Sequence, residues 1–271
     1  MARKTSFYYS FLVLPPARRK AIIAVWDFCR AVDDAVDERA EAAGAADERE
    51  AVALWRSELA AIYGGGTPST PQGRRLQPFV AAFDLPRDAF EDVIDGVAMD
   101  VDTREYRSFD DLFEYCRRVA SAVGMICIRV FGCTDPKSRD YALNLGVALQ
   151  LTNILRDVRT DLERGRVYIP LCDLAAFGCT VDDLARGVMT PPLRRLLEFE
   201  AQRARDFYRR AAEALPAGDR PRLVAAEIMR AVYFETLRRI EQRDYDVFNG
   251  GTRVPRPRQA AIALRQWLWP A

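Results

Sequence analysis

The chain has 271 residues, no histidine, and 40 basic against 39 acidic side chains, which gives a net charge of +1. The absence of histidine excludes Ser-His-Asp and Cys-His catalytic groups and zinc sites built on imidazole. Without a global basic excess, no nucleic-acid partner is expected. Acid–base or metal chemistry must therefore rest on carboxylates, tyrosines, amides or thiols, and the 49% hydrophobic content is enough for a buried core.

The cysteines and the lack of an export signal predict a cytosolic protein. Residues 1–11 show no signal-peptide pattern, and no apolar run approaches the ~20 residues that would cross a bilayer. The six cysteines form no C-x-x-C pair, so neither a zinc site nor a redox dithiol is indicated, and we expect reduced thiols in the core. They are Cys29, Cys116, Cys127, Cys133, Cys172 and Cys179.

Apolar residues recur at spacings of three and four along the chain, whereas period-2 alternation is almost absent, which predicts an all-α fold. Proline pairs precede two of the predicted helices and glycines follow two others, as is typical of helix boundaries. The predicted helices cover residues 17–42, 46–63, 72–83, 87–102, 109–131, 137–164, 191–214, 220–247 and 256–268. No internal repeat or low-complexity linker interrupts this pattern, so we expect one domain over residues 1–271.

The first long helix carries two aspartates at the edge of its apolar stripe. Asp33 and Asp37 are one helical turn apart, so their carboxylates project from one face roughly 6 Å apart along the axis. Two like charges held near a core are costly unless cations compensate them. The pattern therefore favours a bound divalent ion, and the alternative is a solvated face.

The sixth helix carries a longer polar line beside its apolar stripe. The line consists of Gly146, Gln150, Asn153, Asp157 and Asp161, each three or four residues from the next. Such a line fits a helix that faces an interior cavity. If both helices face one cavity, four carboxylates and an amide converge on it, and oxygen ligands of this kind suit Mg²⁺ or Mn²⁺.

Arginines stand beside both acidic pairs. Guanidinium groups bind phosphate oxygens bidentately, so carboxylates for a metal beside arginines for an anion indicate a metal–diphosphate site. The alternative is a set of surface ion pairs, each of which contributes little to stability. The arginines are Arg30, Arg156, Arg164 and Arg166.

Two further groups of residues have simpler interpretations. The aromatic residues at 7–11 favour core packing, and the small residues at 120–124 favour close approach of two helices. The glycine triplet at 64–66 follows a helix rather than a strand, so it is a loop and not a phosphate-binding fingerprint.

With these motifs in place, the chain resembles the squalene and phytoene synthase family, head-to-head prenyl transferases with the all-α isoprenoid synthase fold around a central cavity. The resemblance runs from about Ser6 to Val254. The acidic motif at 33–37 alone is shared with chain-elongating prenyl transferases and terpene cyclases, but those pair it with a different second motif. The segments that carry the resemblance are 6–10, 33–37, 115–124, 150–161 and 166–170.

The resemblance implies a role for particular residues. It makes four aspartates the metal ligands and catalytic groups, with an amide assisting: Asp33, Asp37, Asp157, Asp161 and Asn153. It assigns substrate binding to Ser6, Phe7, Phe11, Arg30, Gln150, Arg156, Tyr168, Tyr233 and Arg253. Two departures from the family pattern are a longer loop at 249–251, before Arg253, and the pair Arg117-Arg118, where several relatives have a tyrosine.

The resemblance also implies a reaction. Within the family, segments 119–124 and 244–248 most resemble those of bacterial presqualene diphosphate synthases of the hopanoid pathway, which implies condensation of two farnesyl diphosphates with Mg²⁺, or Mn²⁺, and no NADPH. Phe7 and Phe11 would stabilise the allylic cation through their ring faces. The proton acceptor is either the released diphosphate or a tyrosine. The alternatives are phytoene, squalene or hydroxysqualene as the product, and a non-catalytic subunit that binds prenyl lipids.

The predicted C-terminal helix combines basic and aromatic side chains. Arg256, Arg258 and Arg265 occur with Trp267, Leu268 and Trp269, a mixture found at membrane interfaces. The pattern suggests a peripheral contact with the inner face of the plasma membrane, and the alternative is a terminal helix docked on the core. For the oligomeric state, a monomer and a homodimer both remain open.

Overall fold

The computed structural model describes residues 8–42 and 45–269, with side chains for residues 9–35 and 48–269. These residues form α-helices, one π-helical turn and no β-strand, which confirms the predicted all-α class. The helices are α1 (Tyr8–Leu12), α2 (Pro16–Ala42), α3 (Ala45–Tyr63), α4 (Pro71–Phe83), α5 (Arg87–Asp102), α6 (Phe109–Cys116), α7 (Ala122–Phe131), α8 (Lys137–Glu163), α9 (Leu171–Ala176), α10 (Val181–Arg186), α11 (Pro191–Ala214), α12 (Val224–Gln242) and α13 (Arg256–Leu268).

The predicted helices agree with these bounds, with three differences. Predicted helix 109–131 is divided into α6 and α7 by the π-helical turn Arg117–Ser121. Predicted helix 220–247 is shorter, because Asp244 and Tyr245 take left-handed backbone angles that end α12. The short helices α1, α9 and α10 have too few residues for a periodic pattern to reveal them.

Helix α8 lies at the centre of the fold, where it packs against α7, α11 and α12. One side of α8 is buried in the core, and Thr152 on that side shares a hydrogen bond of 2.9 Å with Tyr208 on α11. The polar line identified in the sequence lies on another side. These contacts fix the position of α8 in the core. Its polar line points away from the contact with α11.

The π-helical turn brings two helices unusually close together. A side chain at Gly146 would have its Cβ 2.5 Å from the Cα of Ser121, and one at Gly124 would lie 3.0 Å from the carbonyl oxygen of Ala142. The small residues at 120–124 are thus packing residues, as expected. Because 121 faces 146 and 124 faces 142, α7 runs antiparallel to α8, and the end of α7 lies near the beginning of α8.

A pair of extended segments positions the chain after α8. Gly165, at φ +70°, turns the chain, and the amide of Val167 then donates to the carbonyl of Arg104 at 2.8 Å. The amide of Leu171 donates to the carbonyl of Tyr106 in the same way, at 2.9 Å. These bonds fix the 166–170 segment beside the end of α5.

Two other expectations concern the surface and the thiols. All six cysteines are free thiols, but Cys172 is exposed, so the expected core position holds only for the other five, which are buried or half-buried. Within residues 8–42 and 45–269, no helix has the length and apolar character needed to cross a bilayer.

Candidate active site

A cavity of about 420 Å³ lies between α2, α5, α7, α8 and α12. Its wall contains ten of the residues to which the family resemblance assigned a role: Phe11, Arg30, Asp33, Gln150, Asn153, Arg156, Asp157, Asp161, Tyr168 and Tyr233. Their convergence confirms the prediction that the acidic edges of α2 and α8 face the same cavity.

The acidic residues of α8 lie in its last two turns, which end at Glu163. Burial, and next the neighbouring Asp157 carboxylate, raise the pKa of Asp161 to about 7. One turn before Asp157, the side-chain amide of Asn153 donates to Gln150 at 3.3 Å, but the buried Oδ1 of Asn153 accepts no hydrogen bond. Carboxylate oxygens and an amide oxygen that accepts no hydrogen bond thus lie at the same end of α8.

The acidic residues of α2 are described in part. Asp33 lines the cavity one turn beyond Cys29, so the predicted inward face of α2 is correct. The side chain of Asp37 lies outside the described residues, and so do Ser6 and Phe7. Arg30 also borders the cavity, but its guanidinium is exposed and pairs with Asp34 at 2.9 Å.

Four arginines surround the acidic end. Arg156 forms a close bidentate pair with Asp157 and also hydrogen-bonds Tyr233. Arg164 is exposed and Arg166 is buried, and both line the cavity. Arg253 does not line it: the side chain is exposed, with Nη2 3.8 Å from Oδ1 of Asp157. The predicted Arg253 therefore lies outside the cavity wall, next to the acidic end.

Sequence reasoning missed a buried carboxylate on α5. Asp100 accepts hydrogen bonds from the hydroxyls of Tyr115, at 2.9 Å, and Tyr168, at 2.8 Å. The rings of these tyrosines stack at 5.1 Å. Burial, and next the Asp100 carboxylate, raise the pKa of both tyrosines above the ordinary range, so both stay protonated donors. Asp100 follows Val93 and Val97 on an apolar stripe. The same pattern, an acidic residue on an apolar stripe, identified Asp33.

The other end of the cavity is apolar and aromatic. Tyr141 precedes Asp157 by 16 residues on α8, which places them about 24 Å apart along the helix. Phe131, at the end of α7, lines the same region. The Tyr141 hydroxyl donates to Glu227 at 2.8 Å, and Arg230 pairs with Glu227 at 2.7 Å. The polar groups behind this end are therefore satisfied within the protein, unlike those around Asp161.

The residues present fit a divalent cation. A bound cation would give the Asn153 Oδ1 a partner and would offset the repulsion between the Asp157 and Asp161 carboxylates. Among the described side chains, which exclude that of Asp37, no three acidic or cysteine residues are close enough to form a metal cage. Mg²⁺ commonly binds through one or two carboxylates and completes its shell with water and phosphate oxygens, so such a cage is not required.

This architecture is that of a known enzyme family. The family model for squalene/phytoene synthase matches residues 1–259, and the chain belongs to this family. Members join two prenyl diphosphates head to head and use a divalent metal to ionise them. The chain is accordingly a prenyltransferase that binds prenyl diphosphates.

Individual relatives show how broad the family is. A phytoene synthase of Arthrospira platensis is 36% identical, over 92% of this chain and 84% of the relative. The presqualene diphosphate synthase of Zymomonas mobilis is 37% identical, over 88% of this chain and 81% of the relative.

Solved structures agree with this assignment. A dehydrosqualene synthase has a TM-score of 0.84 at 28% identity, over 97% of this chain and 90% of that one. The squalene synthase of Alicyclobacillus acidocaldarius has a TM-score of 0.79 at 31% identity, over 88% of this chain and 89% of that one.

Proposed function

We propose that this protein condenses two farnesyl diphosphates to presqualene diphosphate with release of one diphosphate, and that Mg²⁺ is its metal. The observation that carries the proposal is the polarity of the cavity. Asp33, Asp157 and Asp161 meet arginines at one end, and the wall about 24 Å away along α8 is apolar. This arrangement fits an elongated molecule with an anionic head and a hydrocarbon tail.

The acidic end would bind and activate the diphosphate. Held by Asp33, Asn153, Asp157 and Asp161, with Asp37 from the next turn of α2, a divalent ion would supply positive charge against the departing diphosphate. Arg156, Arg164 and Arg166 would bind its remaining oxygens. Tyr233 would hold the Arg156 guanidinium in place through their hydrogen bond.

The rest of the cavity would protect the reacting carbons. When the C1–O bond of one substrate breaks, the C2–C3 double bond of the second attacks the allylic cation, and loss of a proton to the released diphosphate closes a cyclopropane. Phe11 offers a ring face that stabilises positive charge without trapping it. Cys29 and Cys127 also line the cavity, and burial raises their pKa, so both stay neutral thiols rather than competing nucleophiles.

Asp100 would act as a positioning residue. Its two hydrogen bonds orient the Tyr115 and Tyr168 hydroxyls, and both tyrosines line the cavity near Arg166. The pairing of segment 166–170 with residues 104–107 holds Tyr168 in place.

A second candidate is phytoene synthesis from two geranylgeranyl diphosphates. The observation in its favour is the 36% identity to a phytoene synthase, close to the 37% shared with the presqualene diphosphate synthase. The resemblance of segments 119–124 and 244–248 to presqualene diphosphate synthases supports the shorter substrate. We also infer that residues 1–271 act as one domain, since helices from both halves of the chain pack on α8.

Product analysis tests the proposal. The purified protein would be incubated with Mg²⁺ and either farnesyl or geranylgeranyl diphosphate, with and without NADPH, and the products identified by mass. We expect presqualene diphosphate from the C15 substrate in both conditions. Squalene formed only with NADPH, or hydroxysqualene in either condition, would contradict the proposed end point. A C40 product formed in preference would establish the second candidate instead.

A further inference from the structure

Helix α13 and the residue after it carry large apolar side chains that stay exposed within the part of the chain that the structure describes. Of the eight large apolar side chains that are exposed in the described residues, three lie on α13 and a fourth directly follows it: Leu264 at 54%, Trp267 at 56%, Leu268 at 49% and Trp269 at 72%. We name these four residues the α13 stripe. Large apolar side chains scattered singly over a surface are ordinary, whereas a contiguous group marks an interaction site.

The stripe faces away from the protein. Leu264, Trp267 and Leu268 are spaced by three and four residues, so they share one helical face. The opposite face carries Gln259 and Ala263, which are buried against the rest of the chain. Docking of α13 on the core, the alternative in the sequence analysis, therefore accounts for one face of the helix and leaves the stripe unexplained.

Charge along α13 is entirely positive. The helix contains Arg256, Arg258 and Arg265 and no acidic residue, in a protein whose net charge is only +1. On a helical projection, Arg256 borders one edge of the stripe, and Arg258 and Arg265 border the other. Arg258 pairs with Glu235 at 3.3 Å but stays exposed. An apolar face between arginines complements a surface with anionic head groups above hydrocarbon.

Helix α13 is connected to the cavity wall through α1. Helix α1 contacts both α12 and α13. Phe11 of α1 lines the cavity, whereas the adjacent Leu12 is exposed. A short helix therefore links the prenyl-binding cavity to the element that carries the stripe.

We propose that α13 binds peripherally to a bilayer containing anionic phospholipid. The stripe enters the boundary between head groups and acyl chains, with Arg256 and Arg265 at the lipid phosphates. The helix does not span the bilayer, in keeping with the absence of a spanning helix in the described residues. This binding does not depend on the proposed substrate, because it involves none of the residues of the acidic end.

Vesicle flotation tests the proposal with the full-length protein. The vesicles contain phosphatidylcholine alone or mixed with phosphatidylglycerol, and we expect flotation mainly with the mixture. Changing Arg256→Gln and Arg265→Gln together should weaken binding to the mixture about 30-fold, because each basic side chain contributes roughly fivefold near an anionic surface. The double variant Trp267→Ser/Leu268→Ser should lose about tenfold or more, because it removes the apolar contact.

A matched control changes exposed apolar residues elsewhere. Leu54→Gln combined with Val188→Ser should float like the wild type, and circular dichroism should show unchanged helicity in all variants. If the wild type floats with neither vesicle, or if all variants float equally, the proposal is wrong. Light scattering tests whether a second copy of the chain covers the stripe instead. A dimer that dissociates when the stripe is changed, without vesicle binding, would assign the stripe to that second copy.

Discussion

Buried or half-buried carboxylates lie at both ends of α8, in opposite surroundings. At the amino-terminal end, Asp219 accepts hydrogen bonds of 2.8 Å from the amides of Thr134 and Asp135 and from the Ser138 hydroxyl. Burial alone would raise the pKa of Asp219, but these bonds and Arg222 hold it below the ordinary value. The positive end of the helix dipole also favours an anion here. This carboxylate stabilises the fold.

At the carboxyl-terminal end of α8, the surroundings disfavour a charged carboxylate. Asp157 and Asp161 lie in its last two turns, where the dipole is negative and disfavours anions. Burial and mutual repulsion raise the pKa of Asp161, and the Asn153 oxygen has no donor. Carboxylates at this end of the helix lower the stability of the fold, and a bound cation would offset their repulsion. The contrast separates structural from functional acids without reference to any relative.

The largest expected effect is the loss of turnover at the carboxyl-terminal end. Asp157→Asn removes a charge that the metal requires while leaving the side-chain volume unchanged. We expect at least a hundredfold loss of product formation at saturating Mg²⁺, which corresponds to about 2.7 kcal/mol or more of barrier. Asp37→Asn should behave alike, although its side chain lies outside the described residues.

Asp140→Asn is the matched control, because Asp140 is exposed on the same helix. It should retain nearly full activity. If Asp157→Asn and Asp37→Asn both keep more than about a tenth of the wild-type rate, the metal assignment fails, because that loss corresponds to only about 1.4 kcal/mol.

The free energy of unfolding should change in the opposite order, with the larger loss at the amino-terminal end of α8. Asp219→Ala leaves several buried donors without an acceptor, so we expect a loss of about 1–3 kcal/mol in the free energy of unfolding. Asp161→Asn removes a buried like charge, so stability should be unchanged or higher while turnover falls. Urea denaturation of both variants measures this. Greater destabilisation by Asp161→Asn than by Asp219→Ala would contradict the comparison.

The middle of α8 offers a third test. Gly146→Ala would place a Cβ 2.5 Å from Ser121, forcing α8 away from the π-helical turn. We expect a cost of about 1–3 kcal/mol in unfolding free energy from overpacking. Gly218→Ala is the control, because Gly218 has open space around it. Equal stability of the two variants would show that the close approach is not required.

The smallest expected effect concerns the apolar end. Phe131→Leu enlarges the region beyond Tyr141, so longer hydrocarbon tails should fit better. We expect the ratio of kcat/KM for geranylgeranyl over farnesyl diphosphate to rise about tenfold, at the lower end of what a small change in a hydrophobic pocket achieves. Phe79→Leu, on α4 outside the cavity, should leave the ratio unchanged. An unchanged ratio for Phe131→Leu would remove this end from substrate selection.

Sequence periodicity predicted the long helices and the inward-facing acidic lines, because a polar residue on an apolar stripe is visible from spacing alone. Asp33, Asn153, Asp157 and Asp161 all reach the cavity for this reason. Asp100 carried the same signal but has no second acid three or four residues away, and was missed.

Other features depend on contacts between distant segments, which spacing does not reveal. The Tyr115–Asp100–Tyr168 group requires the pairing of residues 104–107 with 166–172. The exposed position of Arg253 depends on the loop after α12, and the pairing of Arg30 with Asp34 depends on side-chain conformation. Family resemblance supplied roles for Arg30, Tyr168 and Arg253 but no positions.

The most direct test of the central claim is the thermal midpoint of unfolding with Mg²⁺ and inorganic diphosphate, added singly and together. In the wild type, we expect the two together to raise the midpoint by about 5 °C or more at concentrations near a hundred times the dissociation constant. In Asp161→Asn the rise should be absent, because the acidic end no longer binds the cation. An equal rise in both proteins, or none in the wild type, would contradict the assignment of the carboxyl-terminal end of α8 as the metal–diphosphate site.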